Sequence, residues 1–128
     1  MGADKRISSG GPWEDIVGYS RAVVAGPFIH VSGSTSFADG AVQHPGDAYA
    51  QTLAAFGVVR RALEQAGATL DDVVRTRMYL SDIGNEADVA RAHKELFDHV
   101  RPAATILEIS RFVSPDMLVE VEVDAYKP

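Results

Sequence analysis

Three valines alternate with three acidic residues over positions 119–124, near the end of the chain. Successive side chains of a β-strand point to opposite sides of the sheet, so this run has one apolar and one acidic face. Residues 103–110 form a second β-rich run, and Ser114-Pro115-Asp116 between the two runs is typical of a turn. The pattern predicts that these two strands pair as a hairpin that closes the sheet, with its acidic face turned toward water or a ligand.

Two earlier runs, residues 19–25 and 28–34, also have the composition of strands. Gly26-Pro27 lies between them and indicates a hairpin turn. Gly33 in the second run allows either a bulge or the close approach of another part of the chain. Alternation predicts that the other face of this run is shared by Phe28, His30, Ser32 and Ser34.

Residues 73–80 form a further run with a two-residue period. Such a run predicts a strand with one apolar and one polar face. The predicted apolar face consists of Val74, Thr76, Met78 and Leu80, and the opposite face of Arg75, Arg77 and Tyr79.

Two segments have the apolar spacing of amphipathic helices. The first runs from an N-cap at Asp47 to Ala66 and is followed by Gly67, a residue suited to the end of a helix. The second runs from Glu86 to about Val100, with Asn85 as its predicted cap. The core-facing residues are predicted to be Tyr49, Leu53, Phe56, Val59, Leu63 and Ala66 in the first helix and Val89, His93, Leu96 and Val100 in the second, with Phe97 beside them.

The resulting order is strand, strand, helix, strand, helix, strand, strand. It predicts a single α+β domain over residues 1–128, with both helices packed on one face of a mixed sheet. Residues 1–17 are expected to be loop apart from a short edge strand at 6–9, and residues 37–46 are expected to be loop. The uncovered face then carries polar and charged side chains, which predicts self-association around small, wet clefts between subunits.

Composition narrows the class of protein. The chain has 128 residues, no cysteine and a net charge of −6, which argues against nucleic-acid binding and excludes thiol chemistry. No apolar run approaches the roughly 20 residues of a membrane span, and the first residues lack the apolar region of a signal peptide. The expectation is a soluble, cytoplasmic protein. Its four histidines are scattered without helical pairing, so no metal site is predicted.

Several stretches, in this order and spacing, resemble the Rid family, also called the YjgF or endoribonuclease L-PSP family. The resemblance covers about residues 18–125. The stretches that carry it are Gly18-Tyr19-Ser20-Arg21-Ala22-Val23, Val31-Ser32-Gly33-Ser34, the helix from Asp47 to Gly67, Val73-Val74-Arg75-Thr76 with Tyr79, Leu80 and Asp82, Pro102-Ala103, and Val119-Glu120-Val121-Glu122.

The resemblance implies a chorismate-mutase-like fold that assembles as a homotrimer, with ligand clefts between subunits and no cofactor. It also implies hydrolysis of reactive imines or enamines to ammonia and a keto acid. In such members an arginine grips the substrate carboxylate, but Ala104 stands at that position here. Ile106 stands where many members have cysteine, while Ala90 and His93 replace an asparagine and a tyrosine of the second helix. The exchange of arginine for Ala104 predicts a ligand that depends less on a free carboxylate.

Glu120 is the predicted catalytic residue, because a partly desolvated carboxylate can position or deprotonate an attacking water. Its alternative role is that of a solvated strand carboxylate or of a partner in an intersubunit ion pair, for which Arg77 is a candidate. Arg77 is also the first candidate to replace the missing anion anchor, ahead of Arg101 and Arg91. The predicted ligand-binding residues are Tyr19, Ser32, Gly33, Arg77, His93, Ala104 and Ile106.

Three functions remain open at this point. The first is hydrolysis or binding of a small imine, enamine or carbonyl metabolite. The second is a trimer that binds a small ligand or a partner without turnover. The third, ribonuclease activity, conflicts with the acidic charge and with the lack of a paired histidine and lysine. His93 has its own alternative role as a hydrogen-bonded core residue.

Overall fold

Six strands form one mixed sheet in the computed structural model, which describes residues 4–128. Both long helices pack on the same face of this sheet, as the α+β prediction requires, whereas residues 1–3 of the predicted domain lie outside the described part. The strands are β1 (Lys5–Ile7), β2 (Ala22–Ala25), β3 (Phe28–Ser34), β4 (Phe37–Ala38), β5 (Ala41–Val42), β6 (Val73–Leu80), β7 (Ala103–Glu108) and β8 (Val119–Tyr126), and the helices are α1 (Pro12–Val17), α2 (Ala48–Gln65) and α3 (Glu86–Phe97).

The strand order in the sheet is β1-β2-β3-β8-β6-β7. β6 and β7 are parallel, while every other neighbouring pair in this sheet is antiparallel. β8 therefore lies between β3 and β6, and β7 is an edge strand. The prediction that the last two strands pair as a hairpin is wrong, because β6 separates them.

The dry face of β8 is the centre of the core. Val119, Val121 and Val123 are at most 1% exposed, and Phe56 of α2 and Phe97 of α3 are equally buried. Fully burying one such side chain contributes about 1.5–3 kcal/mol to stability. The predicted helix stripes are confirmed except at Tyr49 and Leu53, which are partly exposed and lie outside the core. Tyr49 donates a hydrogen bond to Glu95.

A buried glutamine connects the loops to the helical layer. Gln51 of α2 is 0% exposed, and its amide nitrogen donates to the carbonyls of His44 and Asp116 at 3.1 and 2.9 Å. Its amide oxygen accepts from the backbone of Leu118 at 2.9 Å. These three bonds fix the segment that leads into β8, where Glu120 lies.

Two irregularities in the sheet change the predicted faces. In β3 the register shifts between Val31 and Ser34, so Ser34 pairs with Val121 and is only 2% exposed. Strict alternation predicted that Ser34 shares a face with Phe28. That prediction is wrong, because the register shift turns Ser34 to the other face. In β6 the register shifts between Val73 and Arg75, which leaves Val74 47% exposed and buries Val73 instead.

Two short elements occur where loop was predicted. Residues 12–17 form the helix α1, which begins with proline, the residue whose fixed φ suits a first helical turn. Gly18, at φ 88°, ends this helix in the left-handed conformation. β4 and β5 form a small hairpin within residues 37–42.

Candidate functional site

An open cavity of about 740 Å³ lies where α1, the irregular end of β3 and the start of β8 meet. The segment that links β7 to β8, residues 109–117, closes another side. This volume is within the range of known small-molecule sites. Four of the predicted site residues line the cavity together: Tyr19, Ser32, Gly33 and Glu120.

Glu120 lies against the backbone of Gly33. A Cβ atom added to Gly33 would stand 2.9 Å from Cδ of Glu120, closer than atoms pack in proteins. The predicted close approach at this glycine is therefore observed, and the approaching group is the candidate catalytic carboxylate.

The pKa of Glu120 is raised. Burial is the largest cause, the negative charge of Glu122 adds to it, and the positive charge of Arg21 opposes it. No hydrogen bond contributes to this shift, so the carboxylate remains available to a water or a ligand. A partly desolvated carboxylate of this kind suits general base catalysis.

Arg21 is a site residue that the sequence reasoning missed. Only 8% exposed, it donates from Nη1 to the carbonyl of Gly33 at 2.6 Å and to Oγ of Ser34 at 2.9 Å. Its Nη2 donates to the hydroxyl of Tyr19 at 3.0 Å. Arg21 therefore fixes the tyrosine and the β3 irregularity relative to each other. Arg21 follows Tyr19 by two residues in a β-rich run. This spacing could have indicated that both side chains point to the same side of the extended chain.

Arg77 is engaged elsewhere and does not line the cavity. Its Nη1 donates to Oδ2 of Asp124 at 3.3 Å and lies 3.9 Å from Oε1 of Glu122. Within the described subunit Arg77 pairs with these two carboxylates and not with Glu120, and the predicted intersubunit pair stays a prediction. Arg77 instead links β6 to β8 across the uncovered face of the sheet.

Glu122 is held by a tyrosine. The hydroxyl of Tyr79 donates a short hydrogen bond to Oε1 of Glu122. This bond is the main reason that the pKa of Tyr79 rises to about 12, with burial as the second cause. Glu122 also lines the cavity, so two carboxylates face the same space.

His93 lies in the core on the helical side of the sheet. Its Nε2 is 2.9 Å from Oγ1 of Thr76, and its ring packs against those of Phe56 and Phe97. Burial lowers its pKa. The structure therefore does not bring His93 to the Glu120 cavity, and its environment is that of the alternative role, a hydrogen-bonded core histidine.

Ala104 and Ile106 lie on the edge strand β7, paired with Thr76 and Met78. They share the helical side of the sheet with these two buried partners. Glu120 lies two strands away and on the opposite face, so neither residue lines the cavity of its own subunit.

The mouth of the cavity is apolar. Trp13 and Val17, four residues apart on α1, are 45% and 68% exposed, and Val113 is 83% exposed. Ile109 and Phe112 also line the cavity, and Arg111 lies between them in the chain. Sequence reasoning missed these residues because neither the short segment 12–17 nor the segment after β7 carries a periodic pattern.

Within residues 4–128, no three His, Asp or Glu side chains are grouped closely enough to hold a metal ion. No helix in that range is both long and apolar enough to cross a membrane.

The mixed sheet, the paired helices and the carboxylate-bearing cavity define an α+β protein with a candidate site for a small molecule. The family model described as "Endoribonuclease L-PSP" matches residues 13–127. This chain belongs to that family, the YjgF or Rid family, as the resemblance indicated.

Known relatives agree with this assignment. An uncharacterized protein of Streptomyces coelicolor is 43% identical over 125 residues, which cover 98% of this chain and 93% of that protein. A RutC family protein of Pyrococcus abyssi is 36% identical over 85% of this chain and 86% of its own length. The crystal structure of a YjgF/YER057c/UK114 family member from Mycobacterium tuberculosis superposes with a TM-score of 0.88 at 43% identity, covering 97% of this chain and 99% of that one.

Proposed function

We propose that this protein binds a small imine or enamine in the Glu120 cavity and hydrolyses it to a carbonyl compound and ammonia. The observation that carries the proposal is the carboxylate of Glu120. It faces an open cavity, its pKa is raised by burial, and no hydrogen bond lowers that pKa.

The reaction needs one proton acceptor that later becomes a donor. Glu120 accepts a proton from water while the water oxygen adds to the carbon of the protonated C=N bond, which gives a neutral carbinolamine. The protonated carboxyl then returns that proton to the nitrogen, which becomes an ammonium. The C–N bond breaks, ammonia leaves with the bonding electrons, and the remaining hydroxyl gives its proton to the Glu120 carboxylate, and from there to water, as the C=O bond forms.

Tyr19 and Arg21 have supporting roles in this proposal. The ring and hydroxyl of Tyr19 cover one side of the ligand, and Arg21 fixes that hydroxyl by its 3.0 Å bond. Ser32 donates from Oγ to the carbonyl of Ser20 at 2.7 Å, which joins the two strands beneath the ligand.

A homotrimer is part of the same proposal. The uncovered face of the sheet exposes three large apolar side chains, Phe28, Leu107 and Tyr126, each at least 40% exposed. Exposed apolar patches of this kind mark association surfaces. In the arrangement that the family resemblance implies, the edge strand of a neighbouring copy, with its Ala104 and Ile106, completes the Glu120 cavity.

The test is the loss of imines made in situ, some by an amino-acid oxidase and some by an amine oxidase, so that imines with and without a carboxylate are followed in the presence and absence of the protein. Acceleration should disappear in Glu120→Gln and persist in Glu64→Gln, a matched change at an exposed carboxylate of α2. No acceleration by the folded wild-type protein would contradict the proposed reaction. Sedimentation equilibrium separately tests the trimer, which a monomer would refute.

A non-catalytic binding protein is the second candidate. It is favoured by the engagement of Arg21, which lies beside Glu120 and already donates to protein groups from both terminal nitrogens. In that case, Glu120→Gln would leave ligand binding intact. Ribonuclease activity is disfavoured, because Glu120 and Glu122 together repel a phosphate.

A further inference from the structure

We propose that the cavity selects ligands with a protonated nitrogen and a bulky apolar body, and that it discriminates against ligands with a carboxylate. This inference deepens the proposed function and rests on the same cavity. Two independent features support it. The first is the negative charge at the cavity floor, where Glu120 and Glu122 lie. The second is the apolar composition of the cavity mouth, where Trp13, Val17 and Val113 lie.

The floor favours a cation. Glu120 and Glu122 both line the cavity, and they lie two residues apart on the same face of β8. Glu122 is already partnered by Arg77 and Tyr79. An iminium or ammonium nitrogen therefore chiefly compensates Glu120, whereas a ligand carboxylate meets like charge. The apolar surroundings of the site strengthen both effects.

Arg21 does not reverse this preference. Its terminal nitrogens are held by Gly33, Ser34 and Tyr19, and its Nε is buried with no hydrogen-bond partner in the described chain. Both N–H groups of Nη1 have partners and Nε is buried, so a ligand carboxylate can meet only the second N–H of Nη2. The two parallel bonds of an arginine–carboxylate pair would require the release of Tyr19 or of the β3 irregularity. Arg21 is therefore a positioning residue here rather than an anion anchor.

The mouth favours an apolar body. Trp13 and Val17 line the cavity together with Ile109, Phe112 and Val113, and Arg111 is the charged residue of the segment 109–113. A ligand with an aromatic or branched substituent removes these apolar side chains from water, whereas a ligand with a methyl group leaves them exposed. One methylene group in such a pocket changes kcat/KM by about 10–200-fold.

The helix that presents Trp13 is fixed to the site. The carboxylate of Glu14 is buried and accepts hydrogen bonds from the backbone and the hydroxyl of Ser9. The backbone of Tyr19 donates to the carbonyl of Glu14 at 3.0 Å. α1 and the cavity tyrosine are thus parts of one rigid unit, so the apolar wall has a defined position.

Trp13 is the only tryptophan of the chain, so its fluorescence reports binding directly. The probes are phenethylamine, ethylamine and 3-phenylpropanoate, which separate the cation from the apolar body. Phenethylamine should give a saturable change with at least about tenfold higher affinity than ethylamine. The carboxylate 3-phenylpropanoate should bind more weakly still. Equal binding of all three, or tightest binding of 3-phenylpropanoate, would overturn the inference.

Turnover gives the second arm of the test. Four imines are made in situ from alanine, phenylalanine, ethylamine and phenethylamine, and their spontaneous hydrolysis is subtracted. The phenethylamine product should be the best substrate and the alanine product the poorest. Acceleration with the opposite order would refute the inference but keep the proposed reaction. No acceleration of any imine would refute the reaction, and the fluorescence arm would still decide the inference.

Two variants of α1 test whether Trp13 is responsible for the preference for a bulky apolar body. Trp13→Ala should lower kcat/KM for the two phenyl-bearing imines by about tenfold and leave the two small ones unchanged. Ile16→Ala is the matched control, since Ile16 is 72% exposed on the same helix and does not line the cavity. An equal loss for all four imines in Trp13→Ala would contradict a role in selection.

Arg111 lines the cavity from its exposed rim and provides the critical counter-test. If it anchored a carboxylate, Arg111→Gln would selectively weaken binding of 3-phenylpropanoate and slow the two amino-acid-derived imines. The inference expects no such selective loss.

Discussion

Replacing Gly33 by alanine tests the central contact of the site. The added Cβ would stand 2.9 Å from Cδ of Glu120, so this carboxylate must move by about 1 Å to reach an ordinary separation. The backbone of Gly33 is not in the left-handed region, so alanine itself introduces no backbone strain. The expected effect therefore falls on the position of Glu120 and not on the fold of β3.

The two consequences differ in size. A misplacement of about 1 Å in a reacting group lowers a rate by about 10²-fold. Stability should fall by only about 1 kcal/mol, the lower end of the cost of overpacking, because the displaced group is the end of a flexible side chain. Imine hydrolysis and urea unfolding measure the two effects separately.

A matched control and a double-mutant cycle complete this test. Gly57 in α2 has room for a Cβ, whose nearest neighbour would be Nη1 of Arg61 at 3.8 Å, so Gly57→Ala should raise stability by about 0.5–1 kcal/mol. In a Glu120→Ala background, the stability cost of Gly33→Ala should disappear. An unchanged cost in that background would show that the alanine methyl clashes with something other than Glu120, which would refute the reasoning.

Two further predictions concern pH. Glu120 must be ionised to act as a base, so kcat/KM should rise with pH. Glu122→Gln removes a charge that raises the pKa of Glu120, so it should move this rise to lower pH. A shift of the rise to higher pH would contradict the assignment of Glu120 as the base. Burial lowers the pKa of His93 below its unfolded value of 6.5, so the unfolded chain binds the proton first as pH falls. The free energy of unfolding, measured with urea, should therefore fall as the pH is lowered below 6.5. His93→Gln should make it depend less on pH in this range. The same pH dependence in the variant and the wild type would exclude His93 as the cause.

Local patterns predicted most elements of the fold because each signal depends on neighbouring residues. Alternation identified β8, and apolar spacing with the Asp47 cap identified α2, whose side-chain cap is observed. The sequence of β8 itself does not indicate which distant strands lie beside it. A signal did exist in the order β6–α3–β7, since a strand, a helix and a second strand commonly form a parallel pair. That unit places β7 beside β6 and leaves β8 to pair on the other side.

The site was predicted only in part, for a related reason. Glu120 and Gly33 were identified separately, one from its acidic strand and the other from its missing side chain. Their contact depends on the register between β3 and β8, which alternation does not specify. Arg21 was missed because three of its partners depend on the irregularity in β3. They are the backbone carbonyls of Ser32 and Gly33 and the hydroxyl of Ser34.

The irregularity in β3 accounts for the geometry of the whole site. It turns Ser34 inward as a partner for Arg21, and it directs the carbonyl of Gly33 to the same guanidinium. The bare face of Gly33 then receives Glu120, while Arg21 holds Tyr19 at the other side of the cavity. Any residue other than glycine would place a Cβ at position 33 against Glu120, and a regular strand would turn Ser34 away from Arg21. This cavity is assembled although position 104, where the resemblance implies an arginine, holds alanine, because Ala104 does not line it within the subunit.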